Sequence, residues 1–571
     1  MRVFGRRLWL VETLLAAAMA LSQGCSPRHY RLDADREVYY ILARKQEKTL
    51  GTTMSFSIEA APETAFEALR RERAAAPGRS PARGTPPEAP AVVTPEGVEK
   101  ETGLPTVKGA IRLTLRDALE LATRFNRDYQ SRKEDLYLAA LSLTAERFRW
   151  RPQWTGALAA AVTNQPGDTF VGGGADFGLS QLLDYGGQVS VNLATDLLAF
   201  TTGDPRRSAA SLISAQVVQP LWRDAGRLVA REGLTQAERD TVYAIRTFAR
   251  YQKTLCVDIT SRYYRVLQQR DSVVNEWDNY QRILQSRERT EAMAKAGRLP
   301  EFQVDQARQD ELRARDSWIR ALRQYEDQLD QFKITLSLPT DAPIVLDPAE
   351  IDRLRQAGLH PVKLTPERAI EIALRDRLDL LTGVDHVADA ERKVLVAENG
   401  LGPDLDLTLS ASLPSASGNR AATFQRHNGT YSAGLDVGLP LQRTLERNAY
   451  RTALIRLAQA RRAADELGDE IKLAVRGALR SLLETAESYR IQVASVELAQ
   501  RRVESTNLLL QRGTASARDV LEANAALVGA QNALTGALID HTLARLALWR
   551  DTELLRVSPE GICQEGSDVE N

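Results

Sequence analysis

The chain has 571 residues, with 75 Lys+Arg balanced by 75 Asp+Glu, so no global field draws in nucleic acid or an acidic surface. Aromatic residues are 6% of the chain, which suits long helices better than one large globular core. The three cysteines, Cys25, Cys256 and Cys563, lie far apart with no CxxC spacing, which argues against a disulfide framework and a zinc site.

The first 24 residues read as an export signal. Arg2, Arg6 and Arg7 form a charged start, and an apolar run from Leu8 to Leu21 follows, interrupted by Glu12. It is too short to cross a bilayer as a helix. Two processing readings stand side by side. Ala18 to Ala20 ("AMA") fits an ordinary signal-peptidase site. Leu21 to Cys25 ("LSQGC") looks like a bacterial lipobox in which Cys25 becomes the lipidated first residue, with Ser22 and Gln23 departing from the usual pattern. No later stretch is apolar for eighteen residues, so any membrane passage must be made by strands.

Residues 25–112 hold a short charged helical piece, "RLDADREVYYILARKQ", and then a linker with seven prolines from Pro77 to Pro105 and no core of its own. A duplication follows. "LTLRDALELATRFNRD" from Leu113 aligns without gaps with "LTPERAIEIALRDRLD" from Leu364, and the same register brings Pro152 to Pro403. Thr114 and Thr365 are candidate N-caps. Further along, "QPLW" at Pro220 pairs with "GLPL" at Pro440, and Gly297 with Gly513. Three matches in one order define a first repeat over 113–338, a linker over 339–363, a second repeat over 364–556 and a tail over 557–571.

Each repeat predicts helix, strands, long helix, glycine turn and returning helix. From about Arg223 to Ala296 and from about Gln442 to Gln511 there are no prolines and few glycines, and apolar residues recur at three- and four-residue spacings. Seventy helical residues extend roughly 100 Å, which implies coiled-coil packing.

The strands are clearest in the second repeat. In "GPDLDLTLSASLP", Leu405, Leu407, Leu409 and Ala411 alternate with Asp406, Thr408, Ser410 and Ser412. "YSAGLDVGLPL" repeats the pattern with Tyr431, Ala433, Leu435, Val437 and Leu439 on one face. In the first repeat, "WTGALAAAVT" and the segment from Ser208 to Val218 are weaker counterparts. Between them Val189, Val191 and Leu193 alternate with Ser190 and Asn192 after a Gly186-Gly187 turn, so the region 177–197 is a candidate extra hairpin. "VGGGADFG" from Val171 to Gly178 reads as a loop at the strand tips, since no helix starts there to hold phosphate. That gives about four strands per chain, or six. The smallest membrane barrels need eight, so several chains must pool their strands.

Together the duplication, the strand exits at Pro220 and Pro440, and the "G-x5-D-V-L-E-A" run from Gly513 to Ala523 resemble the TolC-like outer-membrane efflux proteins over about 113–556. The resemblance implies a mixed, mostly α fold: a trimeric outer-membrane β-barrel continued by a long periplasmic coiled-coil barrel. It implies an exit duct without enzymatic activity or cofactor, located in the cell outer membrane. Its partners would be two further copies, outer-membrane lipid, a periplasmic adaptor and an inner-membrane pump, with no nucleic acid. Gly297, Arg298, Gly513 and Thr514 would form the tips that meet the adaptor. Asp519 and Glu522 would ring the closed mouth, favouring cations and raising some of their own pKa values by mutual repulsion. The tyrosine and arginine that help lock that mouth in well-known members are Leu510 and Ala515 here. The competing reading is a lipid-anchored periplasmic coiled-coil scaffold. The five histidines, His29, His360, His386, His427 and His541, are scattered and offer no catalytic or metal constellation.

Overall fold

In this computed structural model the described residues are 26–52, 57–59, 63–75, 99, 101–105, 109–165, 168–200, 207–360, 362, 364–416, 420–439, 441–512, 514–558 and 561–565. Cys25, Pro440 and Gly513, the signal 1–24 and most of the Pro-rich linker lie outside them.

The chain opens with α1 (Pro27–Leu50) and α2 (Ala65–Ala75), then β1 (Ile111–Leu113), α3 (Leu115–Phe125) and α4 (Arg127–Arg149). Four long strands follow: β2 (Gln153–Gln165), β3 (Asp168–Leu182), β4 (Gln188–Phe200) and β5 (Arg207–Pro220). After a helical turn at 227–230 come α5 (Glu232–Lys295), α6 (Glu301–Thr335), β6 (Ile344–Leu346) and α7 (Ala349–Ala357). The order then recurs as α8 (Pro366–Asp376), α9 (Leu378–Asn399), β7 (Asp404–Ala416), the short β8 (Arg420–Phe424), β9 (Thr430–Gly438), α10 (Thr444–Gln511) and α11 (Ala517–Asp551). A hairpin of β10 (Leu555–Val557) and β11 (Cys563–Glu565) closes the series.

Local chemistry explains the helix starts. Thr114 and Asp117 form a reciprocal capping box: Asp117 N–H donates to Thr114 Oγ1 at 3.2 Å and Thr114 N–H to Asp117 Oδ2 at 3.0 Å. Thr365 accepts the Arg368 N–H at 3.3 Å, with Pro366 pre-set at the first helical position. Both repeats break their first helix at the same place. Asn126 and Arg377, 251 positions apart, leave the helical region with ψ of 127° and 120°.

The chain forms two compact units, each assembled from pieces of both repeats. The first comprises 1–57, 135–246 and 382–465 and holds the long sheet. There Ile41 of α1 is buried against Leu143 of α4 and Leu234 of α5, and the Asp35 carboxylate accepts the Tyr137 hydroxyl at 2.7 Å. The second comprises 58–134, 247–381 and 466–571. Its seams are apolar: Ala369, Ala373, Ile471, Val475 and Leu548 form one buried cluster, and Ala499, Val503, Ala523 and Leu527 another. Parallel pairing of β1 with β6 ties the start of the first repeat to the inter-repeat linker, and the hydrogen bond from Tyr263 Oη to Leu113 O (3.0 Å) fixes β1 to α5.

Four expectations need correction. The cysteines do form a disulfide: Cys256 of α5 and Cys563 of β11 are bonded across 307 residues, with Cα atoms 6.1 Å apart. Distance along the chain is no bar, because the helices bring remote segments together. The run from Val171 to Gly178 is not a loop but the middle of β3. Glycine is needed there for close approach: a Cβ on Gly178 would sit 2.6 Å from both Asn192 Oδ1 and Thr155 Oγ1. The strand count is six long strands and one short one, not about four. Finally, the end of the Pro-rich linker has a docking site. Gly103 lies against the Trp277 ring with φ of 64°, and its carbonyl accepts the Trp318 indole N–H at 3.1 Å.

Candidate functional site

The long sheet runs β2-β3-β4-β5-β7, with β9 on the far side of β7, and every junction is antiparallel. Residues directly opposite in such pairs share a face, so the registers sort the side chains. Leu158 faces Ala175, Phe177 faces Leu193, Leu193 faces Ile213, Ile213 faces Leu413, and Leu407 faces Leu435. One face therefore carries Trp154, Leu158 and Val162, then Phe177 and Leu179, then Val191, Leu193 and Leu197, and finally the leucines of β7 and Leu435 and Val437 of β9. Many are exposed, Val162 at 73% and Leu435 at 64%. The opposite face carries Thr155, Asp176, Ser190, Asn192, Asp196, Ser214 and Gln216, then Asp406, Thr408, Ser410, Asp436 and Ser432. No Lys or Arg in these six strands lies on it. Exposed leucines and phenylalanine on one side and carboxylates and hydroxyls on the other suit a wall between lipid and water.

Alternation is legible in β7 and β9 because their apolar face is leucine-rich. It is faint in β2 and β3 because alanine and glycine occupy many positions on both faces, and there the register alone assigns them.

The ends of the strands are built with care. Pro220 closes β5, paired with Asp406, and Leu221 N–H continues the ladder to Leu405 O at 2.7 Å. Proline can sit there because the ladder ends with it. The β3–β4 turn is seated on this same exit. Gly186 has φ of 90°, and a Cβ on it would lie 2.5 Å from the Asp224 carbonyl. The Tyr185 carbonyl accepts Gln219 Nε2 at 3.2 Å and the Gly226 N–H at 3.3 Å, and Asp184 pairs with Arg231 at 3.5 Å.

Below the strands an ionic knot joins α5 to α9. Asp389, 3% exposed, accepts the Tyr243 hydroxyl at 2.6 Å and Arg392 at 2.7 Å, and also pairs with Arg239. Asp385 takes Arg239 at 3.0 Å and Arg246 at 2.5 Å. Burial pulls the Asp389 carboxyl upward, but the Tyr243 hydroxyl and the two guanidiniums together hold it below the ordinary carboxylate range. Nothing in the spacing of these residues marks them in sequence.

In the second unit, each long helix ends just before one of the expected tips. Gly297 adopts φ of 71° and Arg298 N–H reaches back to Met293 O at 2.9 Å, the left-handed ending expected of it. At the second turn Thr514 N–H bonds Leu509 O at 3.0 Å. Arg298 and Thr514 are exposed. Asp519 and Glu522 are exposed too, beside the buried Val520 and Ala523 on the same helix. Asp519 is also a capping residue: its carboxylate accepts the Ser516 N–H and hydroxyl, both at 2.8 Å. The backbone bond first and the hydroxyl second hold its pKa down within one chain. Glu522 pairs with Arg518 at 3.1 Å. Leu510 lines a cavity of about 110 Å³ with Arg282, Met293, Val520 and Asn524, where Arg282 Nε donates to Asn524 at 3.1 Å.

Residues 369–550 match the family model described as "Outer membrane efflux protein". No curated protein sequence matches the chain. Among solved structures it is similar to a membrane protein from Pseudomonas aeruginosa, at TM-score 0.58 and 14% identity, covering 83% of this chain and 99% of that one. It is similar to the outer-membrane channel OprN at TM-score 0.55 and 16% identity, over 83% and 98% of the two chains. The Campylobacter jejuni CmeC outer membrane channel gives 0.55 and 14% identity, over 85% and 95%. The fold is that of outer-membrane channels, and the resemblance read from the sequence stands.

Proposed function

We propose that the chain is the outer-membrane exit duct of an export system, working with a periplasmic adaptor and an inner-membrane pump. One observation carries the reading: six strands present one mainly apolar face, much of it exposed, and one mainly polar face interrupted by Leu198 and Leu212, while no helix among the described residues is long and apolar enough to cross a membrane. Six strands fall short of the eight that the smallest membrane barrel needs, so copies must combine, and the resemblance read from the sequence implies three. In each copy α5 and α10, of 64 and 68 residues, are roughly 100 Å long, the reach a periplasmic conduit needs. The Cys25 thiol is left over once Cys256 and Cys563 pair, which favours its use as a lipid anchor. The cargo is carried, not transformed.

Asp519 and Glu522, six carboxylates in three copies, form the cation-favouring ring at the periplasmic mouth. Exposed Arg298 and Thr514 meet the adaptor. The test is purified protein in planar bilayers together with cross-linking. A three-chain band and discrete single-channel steps are expected, with cation selectivity reduced in the Asp519→Ala, Glu522→Ala double variant. A chain that fractionates with soluble periplasmic protein and never conducts would instead be a scaffold. Unchanged selectivity in the double variant would remove those two residues from the constriction.

A further inference from the structure

The β3–β4 hairpin is the part of the sheet that the duplication does not explain. The second repeat sends β7 and β9 into the sheet as neighbours, whereas the first interposes β3 and β4 between β2 and β5. We propose that this hairpin is a structural part of the membrane wall, so that three copies close a barrel of eighteen strands with an outer mouth wide enough for cargo that a four-strand-per-copy wall would exclude. The inference rests on the barrel reading above and goes beyond it.

Four features carry it. The hairpin is paired along its length, from Gln153↔Ser180 to Gln165↔Asp168 on one side and from Gln188↔Val218 to Ala199↔Arg207 on the other. A hairpin folded over the mouth as a loop or plug would break those ladders. Its faces agree with the rest of the sheet: Phe177, Leu193 and Leu197 join the apolar side, and Asp176, Asn192 and Asp196 the polar side. Its turn is seated in the Pro220 exit through Gly186, Tyr185 and Asp184, which fixes its depth relative to the original strands. Lastly, the sheet is ready to close. β9 is exposed along nearly its whole length, and β2 is exposed over most of its own, and both are edges without a neighbouring strand among the described residues. Five antiparallel junctions make β2 and β9 run in opposite directions, so β9 of one copy meets β2 of the next in the same antiparallel alternation. An edge that long and that apolar on one side requires cover.

The width follows from strand spacing and tilt. At about 4.8 Å between strands tilted by about 40°, eighteen strands give a backbone diameter of about 36 Å, against about 24 Å for twelve. The hairpin thus widens the mouth by about half.

Two measurements test this. In a Cys25→Ser background with the disulfide intact, single thiols are placed at Asp176→Cys, Phe177→Cys, Asn192→Cys and Leu193→Cys. Leu409→Cys and Ser410→Cys serve as controls in β7. With a membrane-impermeant maleimide on protein in liposomes, Asp176→Cys and Asn192→Cys should label at least tenfold faster than Phe177→Cys and Leu193→Cys. If the four label alike while the β7 pair differs, the hairpin is outside the wall and the inference is overturned. If the β7 pair also labels alike, the barrel reading itself has failed, and the inference with it. Second, residues 166–206 are replaced by an Asn-Gly turn that joins β2 directly to β5. In assembled protein the largest polyethylene glycol entering from the extracellular side should shrink in diameter by about one third. An assembled variant with an unchanged cut-off would overturn the proposal, and the labelling decides the matter if the variant does not assemble.

Discussion

The two units are held together by different means. In the first, the sheet is secured by its own backbone: its side chains are largely half-buried or exposed, with few fully buried, and the ladders run unbroken beneath them. In the second, the helices satisfy their own backbones internally, and what joins them is side-chain packing, with Trp318, Tyr263, Phe332 and Leu113 fully buried. The difference explains what each unit can vary. A sheet bonded through its backbone is free to match lipid on one side and water on the other. A helical seam is not free in that way, because each buried side chain there is part of the attachment.

The contrast can be broken by substitution, and the largest effect belongs to the helical unit. Trp318 touches Trp277 with ring centroids 4.9 Å apart and holds the Gly103 carbonyl, so Trp318→Ala should cost about 4 kcal/mol in denaturant unfolding. A loss below about 1 kcal/mol would mean that the seams are not decisive. Removing the disulfide with Cys256→Ser and Cys563→Ser should cost roughly 3 kcal/mol, and reductant should then no longer affect the melting temperature.

The sheet should yield at its seated turn. Gly186→Val forces a side chain onto φ of 90° and into the Asp224 carbonyl, at a cost of about 2 kcal/mol and a matching loss of detergent-stable oligomer. By contrast Ser410→Ala, which removes an exposed contact to Ser432, should stay within about 0.5 kcal/mol of wild type. The smallest expected change is at the second tip. Ser516→Ala should leave global stability intact but speed amide exchange at the start of α11 severalfold. Because the folded-state pKa of Asp519 is depressed, the contribution of that cap is present above the ordinary carboxylate range and is lost only as pH falls through the lowered value. A cap already lost at pH 5 would contradict this geometry.

The same contrast decided what could be read from the chain alone. Helix starts at Thr114 and Thr365, the left-handed Gly297, and the two faces of β7 were legible because each follows from local chemistry. β3 was not. Its Gly172, Gly173 and Gly174 look like a loop until the strands that pair with them on both sides are in place. The Cys256–Cys563 bond and the Asp385–Asp389 knot were invisible for a related reason: each joins α5 to a segment remote in sequence, the tail strand β11 in one case and α9 of the second repeat in the other, which no spacing within a repeat reports. Asp519 shows the reverse case. Sequence singled it out for the mouth of the tube, and the structure shows that it also starts its own helix.

The disulfide has a further consequence, in time rather than in space. If the chain is threaded across the inner membrane from its N-terminus, Cys256 enters the oxidising compartment 307 residues before its partner. During that interval α6, α7, the strands β7 to β9 and the four helices of the second repeat, α8 to α11, arrive. Its thiol must remain unpaired until then, with Cys25 the only other thiol available for a wrong bond. Acylation of Cys25 would remove that competitor. The lipid would then do two jobs, tethering the chain and protecting the pairing of its remaining cysteines, and a strain unable to acylate should accumulate the mispaired Cys25–Cys256 form.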